Sequence, residues 1–357
     1  MRQVTLTTDD ILIDTQKVTT GFFGSGEGTI LGSSLVTASL SATQLKYYTN
    51  LQYQSADHFS ITYGMSAGSG SSASSLNAGK GETEAIYKSY ASYLLRTNEI
   101  KDGFRMYDSS SIDKDVYFVV AERAKMKDRV NPGSWTLGVS GSTTAGVGAS
   151  VTLTDNSKTT AAVASPIGPR YTVYAGSAGT VSSTAITYGW FWPDAGCIAL
   201  SGTALSSSIP GSPSENILAS ASIFNAGGGG ASPGSPTAGN TGFAPLRDNS
   251  ANHYMKLATA IHKYTGNQQF RSEEMQTTVT YFCRALSRDF NASSNPTFTS
   301  GSEGRYRQAS FEGNPHTFIT TVGLFNNSRE CMAVGRLSKP LLKNFSKENI
   351  IKTKLTY

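Results

Sequence analysis

Charge is scarce in this chain. Asp, Glu, Lys and Arg make up only 15% of its 357 residues. With 36 glycines and abundant serine and threonine, that is the composition of a turn-rich β protein in which helix is the minority element. Cysteine is nearly absent: Cys197, Cys283 and Cys331 are an odd number far apart in sequence. They read as small buried residues rather than disulfides or metal ligands, which fits assembly in a cytosol. No apolar run approaches the roughly 20 residues that span a bilayer, Val116 to Ala121 being among the longest, so no membrane partner is expected. Met1 to Thr5 runs straight into polar residues without an apolar core, and export by a signal peptide is not expected. An internal repeat is missing too.

What is present favours a packed protein. At this length one large or two moderate domains are expected. Aromatics at 10% supply large contact area at low entropy cost and argue against disorder. The net charge of +5 is spread thinly except at Arg123 to Arg129. That cluster reads as a solvated strand end or helix face, since no helix-turn-helix, zinc or RNA-binding signature accompanies it, and no nucleic-acid partner is expected.

The pattern along the chain predicts a mainly β fold of antiparallel, sandwich-like sheets, with about two packed helices and long Gly/Ser-rich loops. Residues 1–65 read as an N-terminal arm with the first strands, His58 to Tyr63 placing Phe59, Ile61 and Tyr63 on one face. Ser66 to Gly81 reads as a loop. Residues 82–140 read as a helix plus strands, the helix over Glu82 to Arg96 burying Ile86, Tyr90, Tyr93 and Leu94, and Val116 to Ala121 buried on both faces or under that helix. Residues 141–250 read as Gly/Ser-rich strands and loops. Within them Val147 to Thr154 and Tyr171 to Tyr174 suggest an exposed hairpin insertion, and Ser206 to Pro245 a long loop. Residues 251–357 read as a helix over Asn252 to Tyr264 with Tyr254, Leu257, Ala258 and Ile261 inward, a strand over Met275 to Leu286, and a C-terminal β-hairpin module.

Material for chemistry is thin. The glycine clusters at Gly24 to Gly28 and Gly68 to Ser71 lack the spacing of a phosphate loop, and Gly79-Lys80-Gly81 lacks the following Ser or Thr. The four histidines, His58, His253, His262 and His316, have no metal-ligand spacing. Asp113/Asp115 and Glu273/Glu274 could serve as acid and base, yet solvated charge is the plainer reading. Asp194 lies beside Trp190, Phe191 and Trp192 in a WFWPDAG run. Trp190, Trp192 and Asp194 are therefore the candidate sugar contact under an alternative reading, although the turn chemistry of Pro-Asp-x-Gly accounts for Asp194 without a ligand. No catalytic, cofactor or metal residues are assigned.

The last forty residues are the most informative. Thr317 to Phe325 is β-branched and apolar, Asn326, Asn327 and Ser328 are turn residues, and an apolar run resumes at Cys331. Asn326-Asn327 is the expected reversal point of a hairpin whose loop exceeds two residues. Pro340, unable to donate to a ladder, is expected to end the second strand, and Asn349 to Tyr357 alternates as a final strand.

The run Ile319-Thr320-Thr321-Val322-Gly323-Leu324-Phe325, a polar turn, Cys331-Met332-Ala333-Val334 and Leu337-Ser338-Lys339-Pro340 resembles a segment recurrent in structural proteins of tailed bacteriophages, and the attachment domain of phage tail-collar fibre proteins. Met332 and Gly335 depart mildly from that pattern. Tyr188 to Gly196, Phe290 to Phe298 and Ala85 to Tyr90 are similar to stretches of the same group in contractile-tailed phages of cyanobacteria. The resemblance implies a non-enzymatic virion component of the tail, neck or baseplate, without cofactors and assembled in the host cytoplasm. Its partners would be other virion proteins and copies of itself in a symmetric ring. Thr321, Gly323, Leu324, Phe325, Asn326, Asn327, Ala333, Val334 and Pro340 would form its docking module. The alternative is a receptor- or carbohydrate-binding tail fibre component that meets a host glycan.

Overall fold

A computed structural model describes residues 4–38, 47–68, 80–107, 109–142, 148–207, 253–300 and 304–357. The chain is mainly β, and every strand pair in its large sheet is antiparallel. Two longer helices, Lys80–Leu94 and His253–Lys263, accompany the sheets. The loops expected at 66–81 and 206–245 fall largely outside the described residues.

The chain divides into two compact units, Val18–Glu274 and Met1–Lys17 with Met275–Tyr357. These cuts differ from the expected divisions at 65, 82, 141 and 251. The larger unit is organised by one eleven-stranded sheet that draws strands from both sides of residue 141. Its order is Val36–Thr37, Tyr48–Tyr53, Ala56–Met65, Asp115–Ala121, Cys197–Ser201, Gly189–Trp192, Gly168–Ser177, Gly148–Asp155 and Leu137–Ser142, with Val163–Ser165 and Thr180–Ser183 also pairing with Gly168–Ser177.

Strand alternation explains how both faces are filled. In Asp115–Ala121, Tyr117, Val119 and Ala121 face one core together with Phe59, Ile61, Tyr63, Phe191, Ile198 and Leu200. Val116 and Phe118 face the other, with Trp192, Cys197 and Ala199. Each face has its helix. Tyr254, Leu257, Ala258 and Ile261 pack into the first core, as the periodicity predicts. Tyr87, Ala91 and Leu94 pack into the second, with Tyr90 stacked on Phe118 at 3.9 Å between ring centroids. Tyr93 is 56% exposed, contrary to expectation, because the buried stripe runs through Tyr87 and Ala91 instead.

One further expectation is corrected. The segments expected to form an exposed hairpin insertion lie in Gly148–Asp155 and Gly168–Ser177, which are interior members of the large sheet, and Leu153 and Val173 are fully buried. The N-terminal stretch is a regular strand, Ile11–Gly21, followed by Phe22 and Phe23 in a buried aromatic cluster with His58, Phe59 and Phe270.

A second, four-stranded sheet has the order Ile11–Gly21, Arg271–Ala285, Asn349–Thr356, with Arg129–Val130 also pairing with Arg271–Ala285. The smaller unit holds residues 11–17, 275–285 and 349–356 of it, together with a separate two-stranded ribbon of Thr317–Phe325 and Cys331–Lys343. The central strand of that sheet, Arg271–Ala285, pairs antiparallel with Asn349–Thr356 in register from Thr278↔Thr356 to Ala285↔Asn349.

Candidate functional site

The ribbon gathers all nine residues of the expected docking module, Thr321, Gly323, Leu324, Phe325, Asn326, Asn327, Ala333, Val334 and Pro340. Gly323 lies opposite Val334, Leu324 opposite Ala333 and Phe325 opposite Cys331. The Gly-Leu-aromatic order has a local reason. A Cβ on Gly323 would lie 2.9 Å from the Phe325 ring, which uses the space glycine leaves.

The loop is closed by Asn326. Its side chain accepts from Glu330 N–H at 2.8 Å and donates to Glu330 Oε2 at 2.7 Å, while Arg329 N–H donates to the Asn326 carbonyl at 3.0 Å. The positive φ falls on Arg329, at 63°, and not on either asparagine. Asn326 serves through its side chain, as Asx residues do in turns.

Pro340 does not end the strand, which runs on to Lys343. The register explains this: Ile319 faces Leu341 and Thr321 faces Arg336, so Thr320 alone opposes residues 337–340. Pro340 lies in that bulge, where no ladder needs its missing N–H.

Few side chains cover the ribbon. Phe318, Met332 and Val334 are each more than 60% exposed, and Phe325 and Leu341 are exposed as well. A two-stranded hairpin is marginal by itself in water, and clustered exposed apolar side chains mark contact surfaces. Phe318, Met332 and Leu341 were not singled out from sequence; Met332, a departure from the resembled pattern, was the available signal. Lys343 anchors the ribbon's end. Its buried ammonium donates to Ser287 O, Asn291 Oδ1 and Asn344 O at 2.8–2.9 Å. Burial lowers its pKa from the ordinary lysine value. Cys331 is exposed rather than buried, Cys283 is half-buried and Cys197 is buried.

The candidate sugar contact is not assembled as a stacking platform. Trp192 is fully buried and its indole N–H donates to Ser165 Oγ at 3.1 Å. Trp190 is half-buried, with the Arg170 guanidinium 4.0 Å above its ring. Asp194 pairs with Arg129 at 3.5 Å, and Arg129 also holds buried Glu273 at 2.6 Å. The turn needs Gly196, whose φ is +60° and whose Cβ would lie 2.0 Å from Met126 Sδ. The run is a core strand and a tight turn because its bulky rings alternate across the sheet.

Of the carboxylates expected in solvent, Asp113 and Glu273 are buried, while Glu274 is half-buried and pairs with Lys127 at 3.2 Å. Asp113 is buried and accepts from Met106 N–H, Tyr107 N–H and the Ser201 hydroxyl. Burial raises the Asp115 pKa, opposed by its hydrogen bond with Tyr63. Among the described residues no group of three or more His, Cys, Asp or Glu could hold a metal ion. His262 Nδ1 lies 2.8 Å from the Leu35 carbonyl oxygen.

The fold thus defines a mainly antiparallel β protein with a C-terminal ribbon on which Phe318, Met332 and Val334 are exposed. Comparison with protein-family models, with curated proteins and with solved structures finds no match.

Proposed function

We propose that this chain is a non-enzymatic structural protein of a tailed-phage particle, assembling through protein–protein contacts in the tail, neck or baseplate region. The observation that carries the reading is the ribbon itself. The segment that resembles phage tail-collar attachment domains is a two-stranded element with Phe318, Met332 and Val334 exposed, a form that gains stability by docking on a neighbour. Lys343 and the Asn326 loop hold it in shape before contact, which lowers the ordering cost of association.

The test is location. Gold-labelled antibody against residues 317–343, applied to intact and to partially dissociated particles, should decorate the tail, neck or baseplate. Label absent from both preparations rejects the reading. A separate test of the docking surface replaces Met332 and Val334 together by Ser: the chain should fold but no longer enter particles, and normal incorporation would remove the ribbon from the interface.

A further inference from the structure

The sheet built on Arg271–Ala285 has four strands: Arg129–Val130 pairs only with its start, at Ser272 and Glu273, and Ile11–Gly21 and Asn349–Thr356 are the outer strands, each an edge among the described residues. Their open backbone groups can be identified on the C-terminal edge. Thr277 and Tyr357 exchange both hydrogen bonds, N–H to C=O at 3.0 Å in each direction. In an antiparallel ladder such pairs alternate with pairs that make none. The register is unbroken, so Leu355, Thr353, Ile351 and Asn349 bond inward. Ile350, Lys352, Lys354 and Thr356 therefore direct their N–H and C=O groups away from the sheet. The side chains of these same four residues are exposed.

The opposite edge strand is exposed as well. Residues 12–17 are all exposed, including Leu12 and Ile13. The two edges differ in charge. Exposed Asp9 and Asp14 lie at the start of one, with exposed Lys17 farther along it, while Lys352 and Lys354 lie along the other. Asp10 is engaged, bonded to Arg284 at 3.0 Å. Among the described residues no ion pair involves Asp9, Asp14, Lys352 or Lys354.

We propose that this sheet continues from one copy of the chain to the next, the Asn349–Thr356 edge of one copy pairing with the Ile11–Gly21 edge of a second. Pairing two Asn349–Thr356 edges would set lysine against lysine, which is unfavourable across strands, whereas pairing unlike edges brings Asp9 and Asp14 toward those lysines. Open edges of this length are templates for pairing unless they are covered. Because the two surfaces are different, each copy offers one of each, and repetition gives a closed ring or an open filament rather than a two-fold dimer. The inference rests on the assembly reading above and names its self-contact; the virion address is tested separately by the labelling experiment.

Sedimentation velocity of the full chain decides it. The wild type should form an oligomer that weakens as salt rises. Lys352→Glu with Lys354→Glu, or Asp9→Lys with Asp14→Lys, should each weaken association by about a hundredfold. Mixing the two charge-reversed chains should restore it, since each then carries the complement of the other's edge; rescue also shows that both are folded. Lys354→Pro removes an outward N–H that the inner ladder does not use, and should dissociate the oligomer with the circular dichroism spectrum unchanged. A wild type that stays monomeric at low salt overturns the proposal. So does an oligomer indifferent to Lys354→Pro and to both charge reversals, or a mixture of folded variants that fails to reassociate; the phage reading would then stand or fall on the particle labelling alone.

Discussion

At the scale of single residues, two buried cationic or cationisable side chains have opposite situations. Lys343 has three acceptors around its ammonium, Ser287 O, Asn291 Oδ1 and Asn344 O. Lys343→Met leaves those acceptors without their donor and should cost about 2 kcal/mol, read as a lower urea midpoint with an unchanged slope. His58 is fully buried among Phe22, Phe23 and Tyr53, with Nδ1 bonded to Ala56 O at 2.7 Å and Nε2 without a hydrogen-bond partner among the described residues. Burial lowers its pKa, with Lys125 acting in the same direction and the Ala56 bond opposing. The unfolded imidazole takes up a proton below about pH 6.5 while the folded one resists. Its contribution to stability is thus complete above that pH, and is lost by up to about 1.4 kcal/mol per unit as pH falls toward the depressed folded value. Thermal melts from pH 7 to 5 should show a steeper decline for the wild type than for His58→Phe. Trp192→Ala should destabilise the fold by about 4 kcal/mol through the cavity it leaves, whereas Trp190→Ala should cost about 1 kcal/mol. Loss of glycan binding in Trp192→Ala would therefore report unfolding, and Trp190→Ala is the informative variant.

At the scale of elements, the ribbon shows how register governs the effect of a residue type. Pro340 lies in the four-residue bulge opposite Thr320. Pro340→Ala should shift stability by less than about 0.5 kcal/mol, while Val322→Pro, within the regular ladder opposite Gly335, should disrupt the ribbon. Hydrogen exchange of the amides over 317–343 distinguishes the two outcomes: protection retained in the first, lost in the second. The sequence pattern located this hairpin, its turn and the strand after it, because β-branched runs and asparagines act locally. The bulge was not legible, since it depends on how far one strand slides past another. The helix over His253–Lys263 was read with all four inward residues, its apolar stripe being one-sided. The helix over Lys80–Leu94 was read with Tyr93 inward, because tyrosines on several of its faces left the buried side to be chosen by Phe118 and Phe104.

At the scale of the whole molecule, charge follows the division into units. Val18–Glu274 carries seventeen Lys and Arg against seventeen Asp and Glu, while the other unit carries thirteen against eight. The formal +5 therefore belongs entirely to the unit that bears the exposed ribbon and the open sheet edges. Both hydrophobic cores lie within residues 18–274. A fragment of those residues should accordingly unfold cooperatively by itself, with an isoelectric point well below that of the full chain. A broad, non-cooperative melt would mean that its core depends on the remaining strands.

The sequence by itself determined the mainly β class, the minority of helix, most element positions and the C-terminal hairpin, because these follow from propensity, periodicity and turn chemistry acting over a few residues. Only the tertiary structure decided which carboxylates and rings are buried. Asp113, Glu273 and Trp192 resemble surface or ligand-contacting residues until strands distant in sequence are laid against them. It alone also decided that Gly148–Asp155 and Gly168–Ser177 belong inside the large sheet and that Pro340 is harmless in its strand. Burial and register are properties of pairs of segments brought together from afar, and no local pattern contains them.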